Sequence, residues 1–151
     1  MKINIHHVRE DGLHVEGEDH ATILDVQDHE WSFTEPVSHS LDATLLNDAL
    51  LVTGRLWTQG RVRCSRCLQD FSRRLEVVEF VVHHALTGDD IVDLTPEIRE
   101  SILLEIPQKP LCSEDCKGLC PVCGIDQNKQ TCHCDQPPSE LRWAGLDKLK
   151  L

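Results

Sequence analysis

The sequence predicts an α+β protein: mainly an antiparallel β meander or barrel-like body with one central helix, then a Cys-rich, ribbon-like segment and a short C-terminal helix. Three observations carry this expectation. Residues 48–86 are rich in Val, Leu, Phe and Trp with apolar–polar alternation, the apolar period turns helical over 95–106, and six of the eight cysteines fall between Pro110 and Asp135. At 151 residues the chain fits one domain with an appendage, divided as a β-rich body over 1–110 and a Cys-rich tail over 111–151.

In chain order, "INIHHV" and "GLHVEG" read as short strands and "TEPVSH" as a turn-rich joint. From Asp48 to Leu86 the alternation in "LVTGRLW" and "RVRC" and the apolar run "LEVVEFVV" give three strands, with turns expected at Gln59-Gly60 and at Cys67 to Asp70. In "DLTPEIRESILLEIP", Ile98, Ile102, Leu103 and Ile106 share a helical face. Thr95 is placed to cap, Pro96 suits the first helical position, Glu97 meets the positive end of the dipole, and Pro107 and Pro110 end the helix. The last stretch, "PSELRWAGLDKLKL", offers Ser139 as a cap and Leu141, Trp143, Leu146 and Leu149 as the apolar face of a terminal helix that docks.

The net charge of −11, from 26 acidic against 15 basic residues, disfavours broad binding to a phosphate backbone. Residues 51–75 run against this trend, with Arg55, Arg61, Arg63, Arg66, Arg73 and Arg74 against Asp70 alone. That strip reads either as an anion-contact face or as the solvated side of ordinary strands. The opening residues hold no apolar run of signal-peptide length and nothing reaches the 18 apolar residues of a membrane span, so the expectation is a soluble, cytoplasmic protein. In a reducing compartment, close-spaced cysteines point to metal ligation or thiol chemistry before disulfides.

The cysteines form four pairs: Cys64 with Cys67, Cys112 with Cys116, Cys120 with Cys123, and Cys132 with Cys134. A Cys-x2-Cys turn aims two sulfurs at one ion, and structural zinc takes four such ligands, so four pairs make two tetrahedral zinc sites. "CPVCG" has the knuckle form, with Pro121 and Gly124 supplying the turn. One arrangement closes a local ribbon from Cys120, Cys123, Cys132 and Cys134 and joins Cys64 and Cys67 to Cys112 and Cys116. The rival arrangement groups Cys112, Cys116, Cys120 and Cys123, leaving the other four free.

His133 sits between two ligands and reads as a solvated neighbour. The pairs His6-His7 and His83-His84 would face opposite sides of a strand and receive no role. A redox centre at Cys64 and Cys67 is the competing chemistry, since nearby arginines lower a thiol pKa, but it leaves six cysteines without a purpose. No phosphate loop, nucleophile elbow, zinc-protease helix or paired-carboxylate motif appears, and the acidic doublets Asp89-Asp90 and Glu114-Asp115 read as solvated loops. With sites closed by four thiolates, the expectation is no enzyme.

The combination "RCSRCLQDF", then "TPEIRESILLEIPQKPLCSEDCKGLCPVCG", then "RWAGLDKL" resembles the bacterial YceD family, the large-ribosomal-RNA-subunit accumulation proteins, over roughly residues 45–151. The resemblance implies a non-enzymatic factor needed for accumulation of large-subunit ribosomal RNA. It also places Cys64 and Cys67 at the family's body Cys-x2-Cys and the other six cysteines at its zinc-knuckle tail. Where the family usually reads Asp-Pro-Arg before the last helix, this chain reads Glu140-Leu141-Arg142.

The expected partner is thus a pre-ribosomal large-subunit particle, through ribosomal RNA or a basic ribosomal protein, with Arg61, Arg63, Arg66, Arg73 and Arg74 as possible anion contacts. The chain's acidity favours a basic protein. The alternative from a different class is a thiol redox or zinc-responsive regulator using Cys64 and Cys67.

Overall fold

The computed structural model describes residues 1–26, 31–86, 88 and 90–134. The expected terminal helix over Ser139 to Leu149, and the Glu140-Leu141-Arg142 variation, lie outside the described residues.

Seven strands and one helix make up the described body: β1 (Lys2–Asn4), β2 (Leu13–Asp19), β3 (Trp31–Phe33), β4 (Val37–Leu46), β5 (Ala49–Arg63), β6 (Asp70–Ala85), β7 (Ile91–Asp93) and α1 (Thr95–Leu104), with 3₁₀ turns at Ile5–His7 and Ala21–Leu24. β1 pairs with β7 in a two-stranded antiparallel sheet. The larger sheet is built on β5: β4 and then β3 share one of its edges, β6 takes the other, and β2 extends the sheet beyond β4.

Three expectations need correction. The body is not a barrel. Each rank across the sheet holds at most four strands, β2 pairs only with β4 and β6 only with β5 among the described residues, and both edges stay open. Gln59-Gly60 is not a turn, because β5 runs through it without a break; the missing Cβ at Gly60 leaves room for the rings of Phe33 and Trp31, which a Cβ would meet at 2.7 and 3.0 Å. "INIHHV" is a strand only to Asn4, whose side chain accepts the amide of His6 and starts the 3₁₀ turn, so His6 and His7 are not strand residues.

The inner faces of the strands make one core. Along β5, Leu50, Val52, Leu56 and Val62 are buried, opposed by Leu41 and Ala43 of β4 and by Leu75, Val77 and Phe80 of β6. α1 lays Ile98 and Ile102 on this layer, both fully buried, each worth about 2 kcal/mol of apolar burial. Arg99 of α1 donates to the Leu24 carbonyl at 2.9 Å, anchoring the helix to the second 3₁₀ turn. The helix begins as its composition dictates, with Pro96 and Glu97 in the first turn. Its cap differs from expectation: Thr95 is already helical, and Asp93 Oδ1 accepts both the Thr95 amide (3.0 Å) and its hydroxyl (2.6 Å).

Among the described residues, two polar side chains lie in the core. Thr58 is satisfied, its hydroxyl donating to the carbonyl of Pro36 at 3.1 Å. His39 is buried beneath Gly17, with Asp19 at 3.8 Å, the α-amino group of Met1 beyond it, and Glu16 and Glu18 lining the same cleft. Burial holds His39 below the usual histidine range, partly countered by Asp19. The neutral ring is favoured in the folded state, so the unfolded chain binds more protons as pH falls through 6.5 toward the lower folded value, and stability is lost in that window. In urea melts between pH 7 and 5, His39→Leu is expected to show a flatter loss than the wild type; a steeper loss would contradict this assignment.

Candidate metal centres

Two Cys-x2-Cys turns organise the lower end of the molecule, and they are built alike. In Cys64–Gln69 the Leu68 amide donates to the Cys64 carbonyl (3.0 Å) and the Cys64 amide to that of Gln69 (2.9 Å). In Cys120–Ile125 the Gly124 amide donates to Cys120 (2.9 Å) and the Cys120 amide to Ile125 (2.8 Å). Both turns need a left-handed residue after the second cysteine: Gly124 at φ +73° and Leu68 at φ +60°. The turn over Cys67 to Asp70 was legible, but the left-handed conformation of Leu68 within it was not, because an aliphatic side chain in that region is strained. Leu68→Gly removes a left-handed cost of about 1–2 kcal/mol and adds about 0.5–1 kcal/mol of chain entropy, so a net stabilisation of roughly 0.5–1 kcal/mol, read as a higher urea midpoint, is expected.

The eight sulfurs gather in two tetrads, Cys64 with Cys67, Cys112 and Cys116, and Cys120 with Cys123, Cys132 and Cys134, all sulfurs of a tetrad lying within 4.8 Å of one another. This is the grouping that joins the body to the tail, and the rival set of Cys112, Cys116, Cys120 and Cys123 is not brought together. In the first tetrad Cys64 approaches Cys116 at 3.8 Å and Cys67 approaches Cys112 at 3.7 Å. Cys64, Cys67 and Cys116 are buried against Phe71 and Leu111, apart from the main core; Cys112 is exposed. In the second, Cys120 is buried and Cys123 exposed. His133 is exposed and belongs to neither tetrad.

Backbone and side-chain donors surround the sulfurs. The Cys112 amide points at Cys64 Sγ (3.5 Å), Asn128 Nδ2 at Cys116 Sγ (3.4 Å), and Gln127 Nε2 at Cys132 Sγ (3.8 Å). Burial works against ionisation of Cys64, but amides of Cys67, Cys112 and Arg66 bring its thiol down to about 6. Amides of Cys123 and Val122 bring Cys120 to about 6. Burial and three neighbouring sulfurs push Cys112 up to about 12, and the Cys123 sulfur, then burial, does the same to Cys134. Each tetrad thus gives up one proton readily and holds another, because four negative sulfurs this close need a cation between them. The tetrads could hold metal ions.

The two tetrads are stitched together. Arg66, inside the first turn, donates to the carbonyls of Cys116 (2.8 Å) and Glu114 (3.4 Å), and its own carbonyl accepts the Leu119 amide (3.1 Å). Gly118 sits at φ +76° beside that carbonyl, from which a Cβ at this position would stand only 3.0 Å. Asn128 belongs to the loop of the second tetrad, yet bonds the Lys117 amide and a sulfur of the first. Sequence reasoning assigned Arg66 to anion contact and overlooked Asn128; an Asp-x-Asn turn, with Asp126 Oδ1 accepting the Asn128 amide at 2.9 Å, was the available signal.

The remaining arginines do not form one face. Alternation along β5 sends Arg55, Arg61 and Arg63 outward with Trp57, and register adds Arg74 opposite Gln59; Arg73, opposite Gly60, lies on the other side. Arg63 pairs with Asp70 (3.1 Å) and Arg74 with Glu76 (3.5 Å), while the Arg74 guanidinium stands 5.8 Å over the Trp57 ring. No described helix is long and apolar enough to cross a membrane.

Residues 79–150 match the family described as large ribosomal RNA subunit accumulation protein YceD. An uncharacterized protein of Mycobacterium tuberculosis is 29% identical over 116 residues, covering 67% of this chain and 56% of that protein. The uncharacterized protein YlbN of Bacillus subtilis is 34% identical over 99 residues, 57% of this chain and 58% of its own length. The chloroplastic large ribosomal RNA subunit accumulation protein YCED homolog 1 of Arabidopsis thaliana is 32% identical over 59 residues, 39% of this chain and 18% of its own length. The chain therefore spans little more than half the length of the bacterial relatives it matches. No solved structure matches it. Over residues 79–150, which carry the helix and six of the eight clustered cysteines, the chain is thus similar to the YceD family.

Proposed function

We propose that this chain is a non-enzymatic cytoplasmic factor in large ribosomal subunit biogenesis that supports accumulation of the large-subunit ribosomal RNA, with zinc in both tetrads as a structural element. The observation that carries the reading is a match to a family named for that accumulation, falling on the segment that holds six of the clustered sulfurs. Zinc fits the donor set. Sulfurs about 2.3 Å from a zinc ion sit about 3.8 Å apart at the corners of a tetrahedron, and the contacts of the first tetrad are 3.8 and 3.7 Å. Four thiolates close the coordination sphere and leave no position for a substrate or a reactive water, so the ion's contribution is to fold.

Under the thiol-redox alternative, Cys64 or Cys67 should alkylate fast in the native protein. Cys64 is fully buried and Cys67 nearly so, which favours the structural reading.

Depletion of the protein in its own cells tests the function. The expected result is a fall in large-subunit relative to small-subunit ribosomal RNA, restored by the wild type and not by Cys116→Ser. An unchanged ratio on full depletion would remove the reading.

A further inference from the structure

α1 and the small β1–β7 sheet contribute to the core on the inner face of the large sheet. The outer face has no covering element among the described residues. Register sets its side chains in rows: Glu18, Ser38, Trp57 and Glu76 form one, and Glu16, Ser40 and Arg55 the next. Ser38 donates to Glu18 (3.4 Å) and Ser40 to Glu16 (3.3 Å), holding both carboxylates upright at the surface.

Trp57 is half-buried on this solvent side, where its indole stands in the same row as Glu18 and Glu76. Two open clefts of about 480 and 530 Å³ adjoin it, and Glu18, Ser38 and Trp57 line both. Glu16 lies at one end of the combined groove and Glu35 at the other, beside Arg74. The Arg74 charge is matched within the face, by Glu76 and by the indole beneath it. Glu16 has His14 nearby at 3.3 Å, but that imidazole also serves Asp42 at 2.7 Å. The groove therefore presents an indole and three carboxylates whose charge is not neutralised by a fixed cation, on a chain of net charge −11.

We propose that the groove around Trp57 is the docking surface for an extended Arg- or Lys-rich protein segment, whose cationic side chains lie against the indole and pair with Glu16, Glu18 and Glu35. A guanidinium or ammonium gains from both elements, the ring face and the carboxylates. A phosphate backbone meets like charge at every point along the same path, so the charge pattern selects basic protein over nucleic acid. That the segment belongs to a ribosomal protein rests on the function proposed above; the groove and the charge it selects do not.

Calorimetric titration of the full, metal-containing chain with a short peptide of alternating arginine and glycine tests this, with a glutamate–glycine peptide and a single-stranded RNA oligonucleotide as comparators. The arginine peptide is expected to bind and the other two are not. Trp57→Ala and the pair Glu18→Gln with Glu35→Gln should each weaken binding about tenfold, equivalent to ~1.4 kcal/mol of lost cation–π or charge pairing. Trp57→Phe should retain most of it. The charge variants leave the core untouched, so they decide the matter even where Trp57→Ala folds poorly. A control pair remote from the groove, Glu10→Gln with Glu105→Gln, should bind as the wild type does. Equal weakening by the control pair, no arginine-peptide binding, or tighter RNA binding lost in Trp57→Phe would overturn the proposal. If the groove variants lose the peptide yet sustain normal large-subunit RNA in cells, the groove stands and its place in ribosome assembly falls.

Discussion

Elemental analysis of protein purified without added metal is expected to return about two zinc ions per chain, one for each tetrad. Stripping them with a strong chelator should then separate the molecule's two sources of order. The sheet and α1 rest on a continuous apolar core that includes none of the cysteines, so strand circular dichroism and the protection of β4, β5 and β6 amides should largely survive. Residues 110–134 have no such core: their buried groups are chiefly the sulfurs themselves, and their backbone bonds are turns. With structural zinc contributing on the order of 10 kcal/mol of apparent binding energy per site, amide protection there should vanish on chelation. Cys116→Ser should cost the first ion and the Asn128 contact together, while Cys134→Ser should spare the first ion. A single ion per chain, or collapse of the sheet on chelation, would contradict this division.

The second large effect is expected at Gly54. It sits in β5 at φ +151°, where the register to β6 slips at a bulge between Gly54 and Leu56. A Cβ there would collide with the Ser40 carbonyl and stand 2.9 Å from Leu41 Cα, both backbone atoms of the paired strand with no freedom to yield. Gly54→Ala is therefore expected to cost about 3–5 kcal/mol, through strain and a split β4–β5 ladder, a large share of a small domain's stability. Gly88→Ala provides the comparison: its φ is +102° but nothing lies within 4 Å, so only the local backbone penalty of ~1 kcal/mol applies. Thermal melts of the two variants should differ accordingly, and similar melting points would refute the steric argument.

The parts of this architecture that were legible in the sequence are those set by local rules. The candidate strand "GLHVEG", alternation in "LVTGRLW" and the apolar run "LEVVEFVV" placed β2, β5 and β6, and the change of period at Thr95 placed α1, ending near Leu104 before Pro107. Pair spacing of the cysteines gave both turns but left two groupings open, and the fold brings together the one that joins body to tail. What escaped depended on tertiary neighbours. Gly60 looks like a turn residue until Trp31 and Phe33 are seen to occupy its missing side chain. The arginine strip looked continuous because a linear reading cannot see that Arg66 turns back to bind carbonyls, or that Arg73 falls on the opposite side from Arg74. That Trp57 falls on the solvent side of β5 was not legible, since alternation alone does not say which face of a strand is the inner one.

The two tetrads also differ in how far apart their ligands lie along the chain, and this dictates an order of events during synthesis. The second spans only Cys120 to Cys134 and can close as soon as that short stretch has left the ribosome. The first joins Cys64 to Cys116 and Cys67 to Cys112, separations of 52 and 45 residues that enclose β6, β7 and α1. Closing so long a loop in an unfolded chain costs more entropy, and the sulfurs meet cheaply only after β5 and β6 have paired and α1 has docked. The long-range tetrad therefore closes cheaply only in chains whose sheet and helix have already come together, which ties metal uptake at that site to the correctness of the fold.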